Sequence, residues 1–151
     1  MSTVEIGQVA PRFVLRNQHG QDVDLQVLRG HPVLVIFYPF AFTGICTGEL
    51  AAVQEHLQRF REAGARTVAI STDTMFTLRV FAEQEGYEFD LLSDHWPHGS
   101  TASAYGVFDR ELGCAMRGSF LLDADGVVRW QVLSRIGDGR DIQAHLAALS
   151  G

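Results

Sequence analysis

The sequence has no lysine: all twelve basic residues among its 151 are arginine. That excludes Schiff-base chemistry and the lysine of a phosphate-binding P-loop, since both need a primary amine. Cysteine is scarce as well. Cys46 and Cys114 are too few for a disulfide framework and too widely spaced for a zinc-site pattern, so any cysteine chemistry rests on one reactive thiol. Positive charge is in deficit, with twelve basic against eighteen acidic residues and a net charge of −6. No broad nucleic-acid or anionic-membrane surface is therefore expected. Long apolar runs are missing too: the longest, Val33 to Phe42, is interrupted by Pro39 and falls short of the ~18 residues that span a bilayer. The first residues, Met1 to Phe13, carry Glu5 and no apolar signal core, which leads us to expect a cytoplasmic protein.

What is present is ordinary globular composition, 46% hydrophobic and 20% charged, at a length that matches one domain of ~150 residues. A single domain over residues 1–151 is expected. Phe13–Leu15 and Val23–Leu25 flank the turn-forming Asn17-Gln-His-Gly20 and read as a hairpin. Val33–Tyr38 is continuously apolar, as a strand covered on both faces of a parallel or mixed sheet should be. Leu50, Val53, Leu57 and Phe60 then recur at helical spacing, with Glu55 and Arg59 as an i,i+4 pair and Gly64 as the stop. Thr67–Ile70 reads as a second buried strand, followed by a helix capped by Asp73 or Thr74 and running to Gly86. After a loop around Ser93–Gly99, Ser119–Leu122 and Val127–Val132 flank the turn Asp123-Ala-Asp-Gly126 and form an antiparallel pair. Ile142, Leu146 and Leu149 give a C-terminal helix its apolar face. The order predicts an α/β protein with a thioredoxin-like fold, a central mixed sheet flanked by helices and preceded by an N-terminal hairpin.

The chemistry concentrates in Phe37-Tyr-Pro-Phe-Ala-Phe-Thr-Gly-Ile-Cys-Thr-Gly-Glu49, which leaves the central strand and enters the first helix. Cys46 falls in the first helical turn, where unpaired N–H groups and the macrodipole favour an anion, here a thiolate. Thr43 stands three residues earlier, able to cap the helix or to hydrogen-bond something bound beside the sulfur. A redox dithiol would carry its second cysteine there, so this is no Cys-x-x-Cys protein. A lone cysteine is more often an inert core residue. Pro39, Thr43, Cys46 and Glu49 together make a far more specific pattern than a core cysteine requires.

Pro39, Thr43 and Cys46 match Pro-x-x-x-Thr/Ser-x-x-Cys, and on this motif the chain resembles the peroxiredoxin family. The resemblance extends over Gly7–Pro11, Leu91–Asp94, Ala104–Val107 and Arg117-Gly-Ser-Phe120. Ala41–Cys46 with Trp96-Pro-His-Gly99 is most similar to the alkyl hydroperoxide reductase E type of actinobacteria. The resemblance implies a thiol peroxidase acting on hydrogen peroxide, organic hydroperoxides or peroxynitrite, in which Cys46 attacks the O–O bond and becomes a sulfenic acid. Thr43 would hydrogen-bond the peroxide, Pro39 would shield the sulfur, and Arg117 would stabilise thiolate and polarised oxygens. Glu49 would orient the arginine through a carboxylate pair. No metal or organic cofactor is implied, and a homodimer packing through Phe42 and the Trp96 loop is expected. His95 and His98 resemble a metal pair but have no third ligand nearby, so a loop role is expected for them.

Cys114 has to be weighed as a resolving cysteine. If Cys114 to Arg117 is one extended strand, the odd spacing sets the two side chains on opposite faces, and Cys114 points away when Arg117 points at Cys46. The expectation is a one-cysteine enzyme regenerated by an external thiol, either a low-molecular-weight thiol with a glutaredoxin-like partner or thioredoxin. The alternatives are a two-cysteine peroxidase using Cys114, a thiol-disulfide oxidoreductase acting on proteins, and a thioredoxin-fold binding or chaperone domain with a merely structural cysteine.

Overall fold

The computed structural model describes residues 3–134 and 140–150. Strands β1 (Val14–Asn17) and β2 (Asp22–Asp24) form the expected N-terminal hairpin. Its turn closes because the Asn17 side-chain oxygen accepts the N–H groups of His19 and Gln21. Then come β3 (Val33–Phe37), α1 (Gly44–Glu55), α2 (Leu57–Glu62), β4 (Arg66–Ser71), α3 (Met75–Glu85) and β5 (Asp90–Ser93). The chain continues through α4 (Ser100–Ala104), β6 (Phe108–Asp109), β7 (Cys114–Ala115), β8 (Arg117–Leu122), β9 (Val128–Ser134) and α5 (Ile142–Ser150). Seven strands make one sheet in the order β2-β1-β5-β4-β3-β8-β9, with β6 and β7 paired separately. β3, β4 and β5 run parallel, while β8 lies antiparallel to both β3 and β9.

Alternation along β3 divides the core into two layers. Leu34, Ile36 and the following Tyr38 pack with Cys46, Leu50, Phe60, Phe81 and Ile142, against the helices α1, α2, α3 and α5. Val33, Val35 and Phe37 face the other way, toward Phe13, Ala102, Tyr105 and Phe120. Each such large side chain, taken fully out of water, contributes ~1.5–3 kcal/mol. The register Ile36↔Ser119 puts Ser119 on the α1 side of the sheet, and Arg117 and Leu121 share that face by alternation. This places an arginine from β8 under the helix that carries Cys46.

The expected helix from Leu50 to Gly64 is broken at His56, which sits at φ −102°, ψ 8° and donates from its ring nitrogen to the Ala52 carbonyl at 2.9 Å. The His56 N–H keeps its bond to the Ala52 carbonyl, α1 ends there, and Glu55 and Arg59 fall on different helices. Of the two candidate caps for α3, Thr74 fills the position, its hydroxyl accepting from the Thr77 N–H, and Gly86 closes the helix at φ 72°. The short elements β5, α4, β6 and β7 were not expected. α4 has only five residues, too few for a periodic signal, and the buried Asp94 carboxylate satisfies its first donors, the N–H groups of Thr101 and Ala102. Among the described residues no helix is long and apolar enough to cross a membrane.

Candidate active site

The loop between β3 and α1 is held from beneath. Pro39 is buried. The Ala41 N–H donates to Asp73 Oδ2 at 2.8 Å, and Ser71 Oγ donates to the same oxygen at 2.7 Å. Asp73, considered from sequence as a helix cap, is instead an anchor of this loop. Phe42 adopts φ 67°, a left-handed conformation that is strained for a bulky residue at roughly 1–2 kcal/mol. Its ring rests on Phe81 at a centroid distance of 4.9 Å. Thr43 takes the N-cap position of α1 but makes no side-chain cap; its exposed hydroxyl donates to the Phe40 carbonyl at 2.9 Å.

Cys46 is the third residue of α1 and is fully buried. Its N–H belongs to the first turn, which has no carbonyl of its own to pair with. Tyr38 and Tyr87 stand near the sulfur, and burial above all holds both phenols protonated well above their usual range. Tyr87 donates to the Thr47 carbonyl at 2.9 Å, just past the cysteine.

One turn beyond Cys46, Glu49 is buried and forms an ion pair with Arg117, whose side chain is equally withdrawn from water. A second arginine, Arg140, approaches the other carboxylate oxygen, Nε to Oε2 at 2.9 Å. That contact is one of charge, because the Nε–H is not aimed at the oxygen. Arg140 is tied to the sheet instead: Nη1 donates to the Gly118 carbonyl at 2.9 Å and to Ser119 Oγ at 2.8 Å, and Nη2 donates to the Phe37 carbonyl. Two guanidinium groups thus share the Glu49 carboxylate, and Arg140 lies within electrostatic range of Cys46. Burial weakens the hold of Arg140 on its proton, the Arg117 charge acts in the same direction, and Cys46 opposes both.

Arg117 and Glu49 are thus brought together at Cys46, with Thr43 and Pro39 in the loop beside it. Arg140 was missed from sequence. It precedes the last helix with no local pattern, and its hydrogen bonds to Phe37, Gly118 and Ser119 of the sheet hold it near Glu49. The strand argument about Cys114 needs correction: Met116 separates β7 from β8, β7 pairs with β6 through Asp109↔Cys114, and side-chain alternation does not carry from Cys114 to Arg117. Cys114 is buried and lies within electrostatic range of Cys46. Its thiol is pushed up to about 11, chiefly by desolvation, with Asp109 adding to the effect. The His95 and His98 rings sit 6.0 Å apart and each turns a nitrogen to a backbone carbonyl, of Thr72 and Gly113 respectively.

A thioredoxin-like sheet that sets a buried thiol at a helix N-terminus beside paired arginine defines the class of thiol-dependent oxidoreductases. Comparison with known proteins narrows it. The profile described as the AhpC/TSA family matches residues 6–131. The chain is 42% identical over 148 residues to alkyl hydroperoxide reductase E of Mycobacterium tuberculosis, covering 97% of each. It is 36% identical to peroxiredoxin Bcp of Escherichia coli, covering 85% of each. The crystal structure of Enterococcus faecalis AhpC superposes with a TM-score of 0.89 at 26% identity, covering 96% of this chain and 90% of that one. The chain belongs to the AhpC/TSA family, the peroxiredoxins, which are thiol-dependent peroxidases.

Proposed function

We propose that this peroxidase works through Cys46 by a one-cysteine cycle. The carrying observation is the buried cluster of Glu49, Arg117 and Arg140 beside the thiol. Cys46 thiolate attacks the nearer oxygen of a peroxide; the S–O bond forms as the O–O bond breaks. Sulfur loses two electrons to become sulfenic acid, and the departing oxygen takes a proton to leave as water or an alcohol, or leaves as nitrite when the substrate is peroxynitrite. Hydrogen peroxide, organic hydroperoxides and peroxynitrite share the reacting bond. Full ionisation of a thiol of ordinary pKa, ~8.5, raises the thiolate at neutral pH only about thirtyfold, so the remaining acceleration comes from stabilising charge on the leaving oxygen. Arg117 and the Cys46 N–H supply that stabilisation, and the Thr43 hydroxyl, whose hydrogen goes to the Phe40 carbonyl, accepts the hydrogen bond of the peroxide O–H. Pro39 keeps bulk water from the sulfur and Glu49 orients the arginines.

An external thiol then condenses with the sulfenic acid, releasing water and forming a mixed disulfide, and a second thiol displaces Cys46 from it. A low-molecular-weight thiol with a glutaredoxin-like protein, or thioredoxin, fills this role, in the cytoplasm where such reductants are maintained. The burial of Cys114 and its high thiol pKa, about 11, support leaving it out of the cycle. Its electrostatic proximity to Cys46 favours a second reading, in which Cys114 resolves Cys46 directly. Non-reducing peptide mapping after one equivalent of peroxide separates the two: a Cys46 sulfenic acid carries the first reading, and a bridge to Cys114 formed at the rate of peroxide loss carries the second.

We further assign a homodimer in which each copy covers the active-site edge of the other. β3, β4 and β5 all end at that edge, and the segments that follow them expose Phe40, Phe42, Ile45, Phe76 and Trp96.

A further inference from the structure

His145 is a buried histidine that the peroxidase cycle does not use. It lies on α5 with 1% of its surface exposed, edge-on to Trp130 at 4.9 Å. Both ring nitrogens are engaged. Nδ1 stands 2.7 Å from the Asp141 carbonyl, and because a carbonyl only accepts, Nδ1 carries the proton. Nε2 is therefore an acceptor in the neutral ring, and it lies 2.7 Å from Ser119 Oγ. Ser119 accepts from Arg140 Nη1 on one side, so it delivers its own hydrogen to His145 on the other. The donors and acceptors run in one direction, from Arg140 through Ser119 and His145 to the Asp141 carbonyl.

We infer that His145, acting through Ser119, is a positioning residue for the peroxidase centre: it fixes the Arg140 guanidinium against the sheet, with its charge beside Glu49, and so holds the Glu49–Arg117 pair at Cys46. Arg140 has a planar fork whose direction is set by what its nitrogens reach. Two of its anchors, Gly118 O and Phe37 O, are backbone groups of the sheet; Ser119 is the anchor that a side chain supplies, and His145 decides which way that hydroxyl faces. Without an acceptor at position 145, the Ser119 hydrogen turns toward other acceptors and the oxygen no longer presents its lone pair to Arg140. A group that loses its alignment at a reacting centre can slow the reaction by up to ~10²-fold.

The inference rests on the reading of Arg117 as part of the centre at Cys46, so the experiment carries Arg117→Ala beside the other variants. Pre-steady-state oxidation by hydrogen peroxide, followed by tryptophan fluorescence, is measured for the wild type, His145→Phe, His145→Gln, Ser119→Ala and the double variant Ser119→Ala/His145→Phe. Circular dichroism and urea midpoints establish which variants are folded. His145→Phe and Ser119→Ala are each expected to slow oxidation about tenfold, and the double variant no further, because both break one chain. His145→Gln, whose amide oxygen takes the place of Nε2 as acceptor, is expected to restore the rate to within about threefold of wild type. If Arg117→Ala is slow while folded Ser119→Ala and His145→Phe react as fast as the wild type, the inference is overturned and the site stands. If Arg117→Ala also reacts at the wild-type rate, the reading of the site itself fails. Should His145→Phe not fold, Ser119→Ala and His145→Gln decide the matter: a fast Ser119→Ala overturns the inference, and a slow Ser119→Ala with a fast His145→Gln sustains it.

Discussion

Glu49 and Arg117, 68 positions apart in the chain, meet in an ion pair that is shut off from water on both sides. A buried pair is weak grounds for stability as such, yet removing one partner strands a charge. Here the carboxylate lies between two guanidinium groups, and its loss leaves like charges close together beside a thiol. Glu49 therefore has a structural duty as well as a chemical one, and the two can be separated by experiment.

Glu49→Gln retains the shape of the side chain and removes its charge. It is expected to lower the urea-unfolding free energy by about 3–5 kcal/mol and to slow peroxide attack. Unchanged unfolding would show that water or relaxation of Arg140 compensates the missing charge.

Cys46→Ser is expected to abolish peroxide reduction, a loss on the order of 10³-fold or more, because a serine hydroxyl is not ionised at neutral pH. The fold should persist, since the substitution removes little volume from a packed site. Peroxide consumption by purified, folded Cys46→Ser would overturn the mechanism.

Cys114 gives a pH signature. Its folded pKa, about 11, lies above that of an exposed thiol, so the native state holds this proton more tightly than the unfolded chain does. The resulting stabilisation is complete below the unfolded value near ~8.5 and is lost as pH rises toward 11. Urea midpoints of the wild type should fall over that window more steeply than those of Cys114→Ser. At pH 8, iodoacetamide should label Cys114 of the native protein far more slowly than that of the urea-unfolded chain.

His145 acts in the opposite direction. Burial, reinforced by the Arg140 charge, lowers its pKa from 6.5, while the Asp141 carbonyl and carboxylate oppose the shift; from β8 and β9 the ring meets Ser119 and Trp130. The unfolded chain then takes up a proton that the native state resists. The stability tied to this residue is present above pH ~6.5 and is lost as the medium is acidified below it. Between pH 7.5 and 5.5 the urea midpoint of the wild type should drop more than that of His145→Gln; equal slopes would remove His145 from the acid response.

Light scattering tests the assembly. The wild type should give a dimer mass at micromolar concentration, and Phe42→Asp with Trp96→Ser should shift it toward monomer.

Much of this was legible in the linear chain because it is local. A continuous run such as Val33–Phe37 has to be covered on both faces, Asp123–Gly126 is a turn by its own chemistry, and Pro39, Thr43 and Cys46 lie within one strand-to-helix passage. The break at His56 was not legible, since the change in its backbone angles has no signature in hydrophobic periodicity. Nor was the path from Cys114 to Arg117, where Met116 interrupts the alternation on which the face argument depended. The sequence by itself determined the N-terminal hairpin, the two buried strands, the Asp123–Gly126 turn and the motif, because each rests on neighbours a few residues apart. Only the tertiary structure decided that Asp73 anchors the loop, that Arg140 joins Arg117 at Glu49 and that His145 reaches Ser119. Those partners come from different strands and helices, and a buried charge or polar group is satisfied by whatever the packed sheet brings within 3 Å, however far away it lies in the chain.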